Sequence, residues 1–249
     1  MKNRYRFLLI AVIPFLLAAC STQLVQQKNV PSQVKIDTNL KEDPAITQFY
    51  SSYKRTLDSQ MNSVLVQSEI DMQKGNGENV LANFFSDAIV NTCSRKGIVF
   101  DFAMPTTNGG IRTSIPKGNI RLQNAFELMP FENELVVLYL DGSAVTKLVQ
   151  FIIEKGGQPV SGIRIEATKN QISSISINNK AFDESKLYRV LTSDYLANGG
   201  DGIVAFKEAR RREETGIKVR DAIIDYMRFE NASGRKLNSS IDGRLKIEQ

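Results

Sequence analysis

Histidine and tryptophan are absent from the 249 residues, and cysteine occurs only twice. Histidine is the commonest transition-metal ligand and the usual general base near neutral pH. Its absence removes Ser/His/Asp hydrolases, histidine-ligated zinc sites and typical dinuclear metallophosphatases together. Charge of one sign is scarce as well: Lys and Arg number 32 against 27 Asp and Glu, and Lys2, Arg4 and Arg6 carry three of the net +5. The near-neutral remainder offers no phosphate-neutralising patch, so nucleic acid is excluded as a partner. What is present, 42% apolar and 24% charged residues, is ordinary globular composition, long enough for one large domain or two small ones.

The N-terminus reads as an export signal over residues 1–19. Met1 to Arg6 is basic, Phe7 to Leu17 is an apolar run broken only by Pro14, and Leu17-Ala18-Ala19-Cys20 closes it. That run is shorter than the about 20 residues a membrane-spanning helix needs. Leu-Ala-Ala-Cys resembles a bacterial lipoprotein cleavage box, in which the cysteine is acylated and becomes the first residue. The expectation is an exported, membrane-anchored bacterial lipoprotein, on the periplasmic face or the cell surface, with Cys20 as the lipidation site. Plain secretion with a coincidental cysteine is the alternative. Lipid on Cys20 would leave Cys93 without an intramolecular partner, and so no disulfide framework. Residues 20–40, polar and interrupted by Pro31, read as the lipidated tether, which leaves 41–249 for the folded domain.

From Asp43 the pattern becomes periodic. Ile46, Phe49, Tyr50, Tyr53, Leu57 and Met61 recur at helical spacing behind an Asp43-Pro44 start. Val64 to Ser68 suits a short strand. Gly75-Asn76-Gly77 marks a turn, and Glu78 to Lys96 suits a second helix ended by Gly97, with Cys93 near its end as a small, semi-buried residue. Strands are predicted at Ile98–Met104, Leu135–Leu140, Ile163–Ala167, Ile172–Ile177, Tyr188–Thr192 and Arg244–Ile247. Further helices are predicted at Ser143–Lys155 and Lys218–Phe229. Helices and strands interleave without a strict βαβ repeat, which indicates an α+β or layered α/β class.

Two glycine-rich loops stand out. Asn108-Gly109-Gly110-Ile111-Arg112 follows a strand, where paired glycines admit close backbone approach and an arginine offers a planar fork. Asn198-Gly199-Gly200-Asp201-Gly202 follows Tyr195 and holds a carboxylate in backbone that glycine shapes. Taken singly, each loop is a tight turn or a ligand cradle. No Gly-Lys-Ser/Thr follows either, which excludes a P-loop.

In combination these segments resemble the C-terminal, substrate-binding domain of the 5'-nucleotidase family. The motifs are Thr107-Asn108-Gly109-Gly110-Ile111-Arg112, Met129-Pro130-Phe131-Glu132-Asn133, Ser161-Gly162, Tyr195 to Gly202 and Asp242-Gly243-Arg244-Leu245, with Asn83 and Ser86-Asp87-Ala88 on the entry helix. Their order and approximate spacing match over about residues 40–247. The resemblance implies an α+β domain layered α/β/β/α, and a nucleotide or nucleoside ligand whose base is held between Phe131 and Tyr195. It further implies contacts to the base edge from Asn133 and the backbone around Gly162, to ribose hydroxyls from Asp201, and to ribose or phosphate from Arg112. Asn108, Gly109 and Gly110 would bind the ligand from the loop beside them. Stacking on aromatic rings contributes about 1–3 kcal/mol per base and tolerates different bases. The alternatives are a core anchor for Phe131, a packed ring with a surface hydroxyl for Tyr195, and a structural ion pair for Arg112 or Asp201.

Three departures from the family matter. Its loop reads Asn-x-Gly-Gly-Ile-Arg, whereas Thr107 stands first here and the asparagine comes one position later. Before the second helix, Gln73-Lys74-Gly75-Asn76-Gly77-Glu78 supplies only Lys74 where the family places phosphate-directed arginines, which admits nucleosides and other nucleotide derivatives. The family's metallophosphatase domain has no counterpart in these 249 residues. The expectation is therefore a domain of a hydrolase family that is not active alone and holds no cofactor, with divalent metals belonging to a separate metallophosphatase partner. A stand-alone nucleoside- or nucleotide-binding lipoprotein is the alternative.

Overall fold

The computed structural model of the chain describes residues 31–37 and 40–248. The expected export signal, Cys20 and the first part of the tether lie outside the described residues. The chain divides into two compact units, one up to Phe49 and one from Tyr50. In the first, Asp43 Oδ1 accepts the backbone N–H groups of Ala45 at 2.8 Å and Ile46 at 3.3 Å. This is the N-cap that the Asp-Pro start predicts for helix α1 (Pro44–Met61). Among the described residues no helix is long and apolar enough to cross a membrane.

The second unit continues through β1 (Val64–Ser68), α2 (Val80–Arg95), β2 (Phe102–Met104), β3 (Gly118–Arg121), α3 (Leu122–Leu128), β4 (Glu134–Asp141) and α4 (Gly142–Glu154). It ends with β5 (Ile163–Thr168), β6 (Gln171–Ile177), β7 (Lys180–Ala181), β8 (Leu187–Ser193), α5 (Asp194–Ala197), β9 (Arg211–Lys218), α6 (Val219–Ala232) and β10 (Leu245–Glu248). A central sheet has the order β2-β8-β4-β9, a second sheet the order β10-β5-β6-β7, and β1 pairs with β3 as a ribbon.

Strands β2, β8 and β4 of the central sheet are buried on both faces, and their side chains alternate between two cores as a pleated strand requires. Leu135 and Val137 of β4, Leu191 of β8 and Ala103 of β2 join a core with α2, α3 and α6. Val136, Leu138, Leu140, Val190, Phe102 and Met104 join the other, shared with α4 and with β5 of the second sheet. The two-sided burial explains why β4 reads as a nearly continuous apolar run. Helices α2, α3 and α6 cover one face of the central sheet, and α4 with the second sheet packs on the other, a layered mixture of helices and sheets of the class that the sequence predicts.

Several boundaries differ from expectation. The strand predicted from Ile98 begins only at Phe102. Gly97 takes φ 78°, and the Ile98 N–H donates to Cys93 O at 3.0 Å, so closing α2 consumes the first residues of the apolar run. Residues 118–128 hold β3 and α3, for which no element was expected, and the charged stretch around Arg211 is strand β9. A run of charged residues suits that strand because it lies at the sheet edge. Cys93, expected to be semi-buried, has no exposed surface at all.

Candidate functional site

Strand polarity gathers the loops. β2 runs parallel to β8 with Met104 opposite Thr192, and β8 runs antiparallel to β4 with Ser193 opposite Leu135. β4 in turn pairs antiparallel with β9, Glu134 lying opposite Lys218. The ends of β2, β8 and β9 and the start of β4 therefore meet at one edge of the central sheet. Residues separated by up to about a hundred positions are neighbours there. The Thr192 hydroxyl, which donates to Met104 O at 2.8 Å, and the Val219 N–H, which donates to Asn133 O at 2.9 Å, tie the loops at their roots.

A cleft of about 640 Å³ opens at this edge, lined by Thr106, Gly109, Gly110, Arg112, Met129, Phe131, Glu132, Asn133, Ser193, Tyr195 and Asp201. Its size and mainly apolar wall with a few polar groups suit a small ligand. Phe131 and Tyr195 are 41% and 48% exposed, so neither ring is a core anchor. The Arg112 guanidinium lies 6.0 Å from the Phe131 ring centroid and donates from Nη1 to Gly109 O at 3.1 Å. Asn133 donates from Nδ2 to Asp194 Oδ1 at 3.0 Å, which also accepts the Tyr195 N–H at 2.6 Å.

Asp201 sits at the centre of a hydroxyl network. Tyr195 donates its hydroxyl to Oδ1 at 2.9 Å, and the Thr107 hydroxyl donates to Oδ2. A carboxylate has about four acceptor directions, so two remain for a ligand's donors. The loop reaches this geometry by left-handed backbone at Gly199 (φ 90°) and Asp201 (φ 53°). A Cβ on Gly200 would lie 2.5 Å from the Tyr195 ring, so only glycine lets the ring rest there.

The loop carrying Phe131 is held from the other side. Glu132 pairs with Lys218 at 2.5 Å and with Arg220, and these two cations, Lys218 first, draw its carboxyl down to about 2. Arg220 is 5% exposed. Arg220, Thr106 and Ser193 carry no signal in the sequence alone, because no glycine or aromatic motif marks them.

Two expected contacts fall elsewhere. Gly162, at φ 79°, packs against the backbone of Asp101 and Phe102, at the start of β2, whereas the cleft lies beyond the end of that strand. Its neighbour Ser161 exchanges backbone hydrogen bonds with Ala103. Asn108 does not line the cleft: its Nδ2 donates to Gly157 O at 3.0 Å and its backbone N–H to Gln158 Oε1 at 2.9 Å, tying the loop to the end of α4. The Asp242-Gly243-Arg244-Leu245 motif is a clamp, in which Arg244 forks onto both carboxylate oxygens of Asp87 at 2.8 Å and pins β10 to α2. Among the described residues no group of three or more Cys, Asp or Glu side chains is placed to hold a metal ion.

Comparison with known proteins places this geometry in context. The family described as 5'-nucleotidase, C-terminal domain, matches residues 59–208. The chain is similar to the apyrase of Tabanus yao, at 25% identity over 92% of this chain and 46% of that protein. It is also similar to the trifunctional nucleotide phosphoesterase protein YfkN of Bacillus subtilis, at 28% identity over 86% of this chain and 16% of the relative. Among solved structures, the 5'-nucleotidase precursor from Thermus thermophilus superposes with a TM-score of 0.70 and 25% identity, over 84% of this chain and 44% of that one. The chain thus spans less than half the length of each of these proteins.

Proposed function

The chain belongs to the 5'-nucleotidase C-terminal domain family, and from that premise we propose that it supplies nucleotide recognition to phosphoester hydrolysis carried out by a separately encoded metallophosphatase. The observation that carries this reading is the convergence of Phe131 and Tyr195, from loops 64 positions apart in sequence, on one cleft that also presents Arg112 and Asp201. The rings would take the base and Asp201 the ribose hydroxyls, with Arg112 toward ribose or phosphate. Binding energy gathered at the base, remote from the reacting bond, would then position the phosphate at the partner's divalent metals. In this reading the chain releases no phosphate alone, and acylated Cys20 tethers it to a bacterial membrane, at the periplasmic face or the cell surface.

A second reading, a stand-alone nucleoside- or nucleotide-binding lipoprotein, is favoured by one observation. Arg112 is the one cationic side chain lining the cleft among the described residues. A single cation gives little discrimination for phosphate.

Calorimetric titration of AMP and adenosine against the purified chain tests both readings. Saturable binding is expected, with loss of at least tenfold in affinity in the Phe131→Ala, Tyr195→Ala double variant. Binding of AMP together with a metallophosphatase, and phosphate release only in the mixture, favours the first reading; binding without complex formation favours the second. A folded chain giving no heat at millimolar ligand would overturn both.

A further inference from the structure

We propose that Arg220 is a positioning residue for the aromatic wall of the cleft, gripping the Met129–Glu132 loop from beneath so that Phe131 projects into the cavity. The proposal rests on the nucleotide-recognition reading only for the ligand used as probe. Arg220 does not line the cleft and is the second residue of α6, just after β9. Its Nη1 lies 3.4 Å from both Met129 O and Phe131 O, and its Nη2 donates to Glu132 Oε1. The guanidinium carbon stands 4.1 Å from the centroid of the Phe126 ring on α3, which fixes the plane of the fork. One planar cation thus holds the residue before Pro130, the residue after it and the side chain of the next. The backbone on either side of Pro130 is thereby tied to the start of α6.

The placement is costly for a purely structural part. A buried arginine loses hydration, and its Nε has no hydrogen-bond partner among the described residues. Well-packed apolar side chains commonly fill such buried positions with equal or greater stability. What an apolar residue cannot do is hydrogen-bond two carbonyls and a carboxylate at once. Lysine cannot do so in the same geometry, because a point ammonium lacks the fork. Glu132 completes the grip from the solvent side, where its second oxygen takes Lys218.

The test is a mutant cycle in the full chain. Arg220→Lys is expected to weaken adenosine binding about tenfold with the melting temperature changed by only a few degrees, and Glu132→Ala, a change at an exposed side chain, to weaken it less. In a Phe131→Ala background neither change should cost further affinity, because Arg220 acts through Phe131. Equal losses in both backgrounds, or wild-type affinity in Arg220→Lys, would overturn the proposal. Hydrogen exchange provides a readout that needs no ligand: the Met129–Asn133 amides should exchange faster in Arg220→Lys while those of α6 beyond its first turn keep their protection. If the folded wild-type chain ignores adenosine, the nucleotide reading fails and exchange alone decides this proposal; unchanged exchange in the loop would sink it.

Discussion

The Tyr195 hydroxyl donates to Asp201 Oδ1 at 2.9 Å, joining the second aromatic wall of the cleft to the carboxylate that faces the same cavity. Ring and carboxylate therefore take up position together. The Asp201 N–H closes the arrangement by donating back to the same hydroxyl oxygen at 3.3 Å. Gly200 lies under the ring, and the Thr107 hydroxyl holds the other carboxylate oxygen.

Replacing that hydroxyl separates the two roles of Tyr195. Tyr195→Phe keeps the stacking face and removes both hydrogen bonds of the hydroxyl, of which the shorter, to the Asp201 carboxylate, has a net worth in a partly exposed setting of about 0.5–1.5 kcal/mol. Adenosine affinity should fall roughly two- to tenfold by that measure, and Tyr195→Ala should fall further. Calorimetry on the two variants gives the answer. Equal losses would mean that the hydroxyl and not the ring carries the binding.

The sequence showed the parts of this site more clearly than their arrangement. Gly109-Gly110 and Gly199-Gly200 announce tight backbone, and Phe131 and Tyr195 beside them suggest a ligand, because these signals are local. Which strand ends share an edge is a matter of register. The pairings of Ser193 with Leu135 and of Glu134 with Lys218 join residues tens of positions apart, and no local pattern encodes them. Gly162 illustrates the consequence: it lies at the start of β2 while the cleft lies beyond the end of it. Arg220 gives no signal for the related reason that a helical arginine reads as surface until the loop packed over it is known. β9 was hidden by its own edge position, where charged residues replace the apolar alternation that marks a buried strand.

The pairing of Glu132 makes a pH prediction with a definite sign. Lys218 and Arg220 hold its carboxyl at about 2 in the folded chain, against an ordinary value of 4.5. Between these values the unfolded chain binds the additional proton, so this group's contribution to stability is present above pH 4.5 and disappears as pH falls toward 2. Glu132→Gln should therefore be less stable than wild type at pH 6, with the difference closing on acidification. Urea midpoints of the two chains, measured from about pH 6 down to about pH 2.5, test this. A difference independent of pH would show that the ion pairs contribute no linkage.

Cys93 gives the opposite kind of prediction, one of inertness. It is fully buried on α2, and burial pushes its thiol up to about 12. At pH 8 only about one molecule in ten thousand would carry the thiolate that reacts, even before access is considered. In a Cys20→Ser chain, a thiol reagent should leave the native protein unmodified and should label it at the rate of unfolding when urea is added. Rapid labelling without denaturant would mean that α2 opens locally, and that the core it shares with α6 is far less rigid than its packing implies.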